Sequence, residues 1–404
     1  MTMTGRERFE AVFRGEMPDR VPVTLFIQDQ GHFINQLHPH IDPWDWQALQ
    51  LATIEVQRDL GVDIMARLLF GTLDEFQWML LGGLDVSRST DDWQVETTEQ
   101  REGRTTLRSS VIHTPDGDLR QEYSIDEIRP GTLMYACTQK PVHGRADLEL
   151  VAAYEPGMRP DYPERLAAKV APIREAVGND GWVGLWAPHG PFNMASLLIT
   201  EDVLYSVFIE DPSYYRRLME VSLARTRDYM RACDAPGVDI LFVGGNVPGG
   251  FIGRSNYERY VLEWERQQIE VAQAEGTPAA YHNCGQIQSL VEAYKGLGVA
   301  AVEPFSPPPK LGDADLAEAV RLAGEDYVII GGVDQVDVLQ QGTIEDVRRA
   351  TAAAMAAGKP GGGFILQNAD FLEYDTPMEN VEAFVTTALE GCLLYTSPSP
   401  RDED

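Results

Sequence analysis

Short, continuous apolar runs rich in β-branched residues alternate along the chain with amphipathic helical patterns. That alternation limits the fold more than any other feature. The runs are Val21–Ile27, Ile64–Leu69, Trp182–Ala187, Asp239–Val243, Pro278–Cys284, Val299–Phe305, Val328–Asp334 and Gly363–Asn368. Their polarity does not alternate, which fits strands buried on both faces of a parallel sheet. Parallel neighbours need crossover connections, and the helical segments between the later runs supply them. Eight such runs predict an α/β chain built as a single (β/α)8 TIM-type barrel. A doubly wound open sheet is the other arrangement, because sequence does not reveal closure.

Helix starts are written into the segments between. Thr376-Pro377-Met378-Glu379 has the form of a capping box with proline at the first helical position. Ser255-Asn256-Tyr257-Glu258 repeats the pattern, Thr343 with Asp346 gives a weaker form, and Asp211-Pro212 starts a helix running to about Cys233. Residues 86–145 break the alternation. They read as short polar strands, Trp93–Thr97, Thr105–His113 and Leu119–Tyr123, with a turn at Thr114-Pro115-Asp116-Gly117-Asp118. This predicts a β-rich insertion after the second strand, placed as a lid within one barrel spanning 1–391. Residues 392–404 (CLLYTSPSPRDED) have no periodicity and resemble translated sequencing-adapter read-through. No packing role is expected of that tail.

Charge excludes some functions. Lys and Arg number 33 against 63 Asp and Glu, for a net charge of −30. Nucleic-acid binding needs a basic face, and membrane-surface attraction a polybasic segment, so neither partner is expected. An apolar content of 44% excludes disorder as the explanation of that charge. Four cysteines do not form a disulfide framework. The charged opening MTMTGRERFEAVFRGEMPDR has no apolar h-region, and no apolar run reaches membrane-spanning length. A cytoplasmic protein with reduced thiols is expected. With no G-x-G-x-x-G or G-x-x-x-x-G-K, nucleotide cofactors are not indicated.

The chemistry concentrates at His282-Asn283-Cys284-Gly285, where a predicted strand ends. Residues i and i+2 of a strand share a face, so His282 and Cys284 are expected to project together at the C-terminal rim, where barrel enzymes keep their sites. Imidazole and thiolate suit Zn2+. A bare H-x-C is weak by itself, since a buried His and an inert Cys also occur at this spacing. Glu303 and Asp370 end the next and the last strands and are the candidate further metal ligands, although either would also serve as a loop carboxylate. Candidate substrate contacts are Gln28 and Asp29 in the first βα loop, Trp186 and His189 around the third strand end, and Asn246 after Gly244-Gly245. Phe70, Trp78, Trp186, Tyr281 and Phe305 are aromatic candidates for a pocket wall.

In ordered series the motifs resemble the uroporphyrinogen decarboxylase superfamily, in its zinc-dependent, corrinoid-linked methyltransferase branch. The resemblance runs from Gly5-Arg6-Glu7-Arg8-Phe9 and Pro18-Asp19-Arg20-Val21-Pro22 through Gly190-Pro191-Phe192 and His282-Asn283-Cys284-Gly285. It continues through Gly331-Gly332-Val333-Asp334 to Asp375-Thr376-Pro377-Met378-Glu379-Asn380. It implies Zn2+ and a corrinoid, carried by a partner protein or met as substrate, with a small-molecule methyl donor or acceptor. The family's methyltransferases usually carry a second zinc cysteine near the position of Asp370. This chain has none there, since Cys137, Cys233 and Cys392 lie elsewhere. Related methionine-forming enzymes place a Glu between their H-x-C and last Cys, which supports Glu303. The resemblance thus implies a His/Cys/Glu site completed by Asp370 or water.

The decarboxylases of the superfamily resemble R-x-A-G-R in their first βα loop, where arginines hold substrate carboxylates. Here that loop reads Ile27-Gln28-Asp29-Gln30-Gly31-His32, and Arg67 and Arg254 are the obvious rim arginines. A metal-independent decarboxylase, with Asp29 stabilising a pyrrole cation, is therefore the second reading. Methyl transfer to or from a corrinoid is the first. The missing second cysteine tilts it toward the demethylating direction, because thiol activation usually uses a sulfur-rich site.

Overall fold

The computed structural model describes residues 2–28, 33–69, 83–129 and 132–392. Asp29, Phe70, Trp78 and residues 393–404 of the tail lie outside them. Seven strands form one parallel sheet: β1 (Ile64–Leu69), β6 (Gly181–Ala187), β7 (Ile240–Gly244), β8 (Ala279–His282), β9 (Ala301–Phe305), β10 (Val328–Val333) and β11 (Phe364–Asn368), hydrogen-bonded in that order. Helices connect them, among them Tyr162–Val177, Pro212–Ala232, Leu262–Ala272, Leu316–Ala323 and Ile344–Gly358.

The eighth expected strand, Val21–Ile27, is not a regular strand. It is extended and makes one isolated parallel bridge, Val23 to Leu366. Thr24 N–H donates to the Leu366 carbonyl at 3.0 Å, and on the other side Asp63 N–H donates to the Val23 carbonyl at 2.7 Å. Two causes break the ladder. Pro22 has no N–H to give. The backbone N–H and C=O of Phe26 are both taken by the Asn368 side chain, at 2.9 and 3.0 Å, and the Val23 N–H goes to the Asp63 carboxylate at 3.0 Å.

The period-2 alternation of strands sorts the sheet's two faces. One face packs against the helices in the main core. The other carries Met65, Leu69, Trp182, Trp186, Ile240, Phe242, Ala280, Ala301, Val328, Ile330 and Ile365. Arg67, His282, Glu303 and Gln367 are in step with those residues and so belong to the same inner face. The helix Gly5–Phe13, started by a Thr4/Glu7 capping box, stacks Phe9 and Phe13 on Trp182 at 5.6 and 4.7 Å. This puts an apolar floor beneath a polar layer.

Between β1 and β6 lies a four-stranded antiparallel sheet: β2 (Gln94–Glu102), β3 (Thr105–Thr114), β4 (Gly117–Arg129) and β5 (Thr132–Gln139). Three of these strands are longer than the sequence pattern indicated, and β5 was not indicated at all. Its base is held by Leu84 N–H donating to Gln121 and by the Trp93 indole donating to the Asp85 carbonyl, at 3.0 and 2.8 Å. Near its tip Arg129 pairs with Asp375 at 3.5 Å and lies 4.3 Å from the Tyr374 ring centroid. The sheet thus reaches the loop that follows β11.

Capping chemistry differs in part from the expectation. The box read as weaker, Thr343 with Asp346, is fully made. Thr376 instead donates its hydroxyl to the Glu373 carbonyl at 2.7 Å, within the preceding turn. No single helix among the described residues is long and apolar enough to cross a membrane.

Candidate metal centre

β8 ends at His282, two residues before Cys284, so the strand pleat does not itself place Cys284. The turn does. Asn283, fully buried, accepts from Val247 N–H at 2.6 Å and donates to the Val247 carbonyl and the Tyr294 hydroxyl at 3.1 and 2.7 Å. Gly285 follows with φ 96°, a conformation that side chains disfavour. Pinned between them, Cys284 is brought back to the side of His282.

One donor atom each from His282, Cys284 and Asp370 lie within 4.8 Å of one another. His282 Nε2 is 4.0 Å from the Asp370 carboxylate. Asp370 is aimed by its own surroundings. Its N–H donates to Gln335 at 3.2 Å, its carbonyl accepts from Asn368, and its side chain accepts from Phe371 N–H at 2.8 Å. A borderline-soft nitrogen, a sulfur and an oxygen converging at this spacing fit a zinc-type ion with an open fourth position.

Glu303 is placed differently from that trio. It accepts from both terminal nitrogens of Arg67, at 2.8 and 2.6 Å, and pairs with His282 Nδ1 at 2.9 Å. Its carboxylate therefore stands behind the imidazole, engaged with a guanidinium, rather than among the converging donors. Arg67, expected at the rim, is completely buried. Its guanidinium carbon lies 3.9 and 4.0 Å from the ring centroids of Phe26 and Phe242, and it donates to Gln367 at 2.8 Å. The other expected rim arginine, Arg254, is engaged by Glu258 and Glu292 at 2.8 and 2.7 Å.

The electrostatics follow from this packing. Burial alone would raise the Glu303 carboxyl, but the Arg67 charge and the bonds from Arg67 and His282 hold it down at about 2. Burial opposes a charge on His282, yet the bonds to Cys284 and Glu303 and the Asp370 carboxylate raise it to about 10. Burial pushes the Asp370 carboxyl up from the usual range, against the His282 charge.

Of the expected substrate contacts, Trp186 stands edge-on to the His282 ring at 4.9 Å, and its buried indole N–H has no partner among the described residues. Asn246 lies 3.7 Å from Cys284 Sγ and 3.4 Å from His189 Nδ1. It holds φ 49°, a left-handed conformation that asparagine tolerates. His189 is also within reach of the Gly244 carbonyl and Asn193, at 3.2 and 3.1 Å. Burial lowers it to about 4, so its ring is neutral. Gln28 ends the extended first segment and is half-buried. Tyr281 and Phe305 are fully buried in the helix-facing core, so they are not pocket walls. Phe371 takes that place beside Phe26, 6.2 Å between centroids.

Asn283, Arg67 and Gln335 are the supporting residues that the motif reading did not assign. The signal for Arg67 was its position: it alternates in step with Met65 and Leu69 on an inner strand, where a charge must find a buried partner.

A profile of the family described as uroporphyrinogen decarboxylase (URO-D) matches residues 140–390. The chain belongs to the uroporphyrinogen decarboxylase family. Within that family, this URO-D chain is similar to two curated proteins of Methanosarcina mazei. One is a methylated-thiol–coenzyme M methyltransferase, 24% identical over 215 residues, 53% of each chain. The other is a methylcobamide:CoM methyltransferase, MtbA, 22% identical over 255 residues, 62% of each. The matches thus span between half and two thirds of those relatives' length. A solved structure titled methyltransferase from Methanosarcina mazei shares the fold with a TM-score of 0.67 and 16% identity, over 96% of this chain and 99% of that one. The URO-D region takes in every member of the His282, Cys284, Asp370 and Glu303 group and leaves Arg67 outside.

Proposed function

We propose that this protein is a zinc-dependent methyltransferase that moves a methyl group to or from a corrinoid. The observation that carries the reading is the convergence of His282, Cys284 and Asp370 donor atoms within 4.8 Å. The names of the two curated relatives support it. So does the spending of Arg67 on Glu303, which removes one arginine that a polycarboxylate substrate would need.

In this reading His282 Nε2, Cys284 Sγ and an Asp370 oxygen hold the metal, and the fourth position is left for substrate. Bound zinc would supply Lewis acidity, favouring a thiolate over a thiol or polarising an ether oxygen. The chain's own residues do the rest. Glu303, fixed by Arg67, accepts the hydrogen bond that His282 Nδ1–H donates, which sets the tautomer that presents Nε2. Asn246 and neutral His189 face the Cys284 side and offer amide and imidazole hydrogen bonds to a substrate. Trp186, Phe26 and Phe371 crowd the other side with apolar rings, which keep water from the reacting groups. The corrinoid arrives on a partner protein or free, and the small-molecule methyl donor or acceptor occupies the open position.

The test is methyl transfer between free methylcobalamin and a simple thiol probe such as 2-mercaptoethanol, run on zinc-loaded wild type and on Cys284→Ala. Turnover by wild type that the substitution abolishes supports the reading. A metal-free protein that shows no transfer, yet releases carbon dioxide from a carboxylated tetrapyrrole, overturns it in favour of decarboxylation.

A further inference from the structure

Behind the site lies a carboxyl group that the proposed chemistry does not use. Glu265, in the helix Leu262–Ala272, is completely buried. Its Oε1 accepts one long bond, from Phe192 N–H at 3.3 Å, and the Tyr281 hydroxyl is the other group that reaches the carboxyl. No cation among the described residues pairs with it. An ionised carboxylate calls for several donors or a positive charge, so this environment suits the neutral acid. The carboxyl fills the space where Gly190 lacks a side chain: a Cβ there would come within 1.7 Å of Oε2. One turn on, Gln268 donates to the carbonyls of Pro188 and His189, at 2.9 and 2.6 Å. The neighbouring Tyr281 hydroxyl fills the equivalent space at Gly245, 1.9 Å from where a Cβ would stand. The two site loops, Pro188–Phe192 and Gly244–Asn246, thus rest on one buried acid–phenol pair.

We propose that Glu265 is a protonated positioning residue that holds the His189 and Asn246 loops against the Cys284 side of the site. The remaining titratable groups facing it are phenols: Tyr281 from β8, Tyr257 just before its own helix and Tyr215 from the helix Pro212–Ala232. Burial pushes each of them above the usual range, so all are neutral at physiological pH. Burial likewise raises the Glu265 carboxyl to about 8, against the Phe192 and Tyr281 bonds. The group's contribution to stability is therefore present below its ordinary value of 4.5 and lost as pH rises through about 8.

The inference does not depend on methyl transfer or on zinc, and its test needs neither. Infrared spectra of the full chain at pH 7 should show a protonated-carboxyl C=O band that Glu265→Gln removes. Hydrogen exchange at residues 188–192 and 245–247 should rise about tenfold in Glu265→Ala, the scale of one lost hydrogen bond. It should stay at the wild-type rate in Glu265→Gln, which mimics the neutral acid. Wild-type protection in those loops, measured against the intrinsic base-catalysed exchange rate, should also fall between pH 7 and 9 as the Glu265 carboxyl ionises, and Glu265→Gln should abolish that fall. Should Glu265→Ala fail to fold, the Gln variant alone decides. No lost band, or a Gln variant whose loops exchange faster at pH 7 or still lose protection between pH 7 and 9, overturns the proposal.

Discussion

Glu303 meets His282 at Nδ1, 2.9 Å away, while Nε2 of the same ring is turned toward Asp370 at 4.0 Å. A carboxylate on one ring nitrogen and an open face on the other is the geometry that prepares an imidazole to bind a metal. Glu303 thereby acts through His282 rather than beside it.

Glu303→Gln should consequently weaken zinc without abolishing it. Loss of a carboxylate partner behind a ligating histidine typically costs about 10- to 100-fold in affinity. Asp370→Asn, which removes an anionic donor from the trio, should cost more. Competition against a chromophoric chelator orders the two variants. The reverse order would return Glu303 to the donor set.

Arg67→Met should be severely destabilising, because it leaves the buried Glu303 carboxylate without its guanidinium, with only His282 to offset the charge. Breaking a buried ion pair at one end costs about 3–5 kcal/mol. The double variant Arg67→Met/Glu303→Gln removes both charges and should recover much of the loss. Denaturant unfolding of the metal-free proteins measures both. Equal destabilisation in the single and double variants would show that Arg67 matters by its packing between Phe26 and Phe242 instead.

Much of this arrangement was legible in the sequence, and the parts that were not share a physical cause. Seven strands were announced by uninterrupted apolar runs, because burial on both faces leaves no polar position to blur the pattern. The Val21–Ile27 run has the same composition, but Asn368 and Asp63, distant in sequence, take the hydrogen bonds that would make it a strand. β5 went unread because its outer face is exposed and its inner face only half-buried, which leaves little hydrophobic contrast. His282, Cys284 and Asp370 could be read as neighbours because each lies at or just beyond the end of an apolar run, although the turn at Asn283 and Gly285, not the pleat, places Cys284. The place of Glu303 could not be read, because its role is decided by Arg67, which is 236 residues away in the chain.

Zinc affinity should rise with pH. Without metal, the bonds around His282 raise it to about 10 against the burial penalty, so at neutral pH the ring carries a proton that a metal must displace. Lowering the pH strengthens the proton's competition at His282. Affinity measured between pH 6 and 8 should increase steadily. A flat profile would mean that the metal is not held by this histidine.

Gly190→Ala should disturb the His189 loop. The added Cβ would fall 1.7 Å from Glu265 Oε2, far inside contact distance, and the buried carboxyl has little room to retreat. Overpacking of this kind costs about 1–3 kcal/mol. A lowered thermal midpoint with zinc affinity intact is expected. An unchanged midpoint would show the loop to be looser than its packing indicates.

The most direct test of the central claim is the metal content of the full chain, expressed with zinc supplied and purified without chelator, for wild type beside Cys284→Ser. One zinc per chain is expected in wild type and most of it lost in Cys284→Ser, since a hydroxyl is far harder to deprotonate than a thiol. Wild-type protein without stoichiometric zinc, or a Cys284→Ser protein that keeps its full complement, would contradict it.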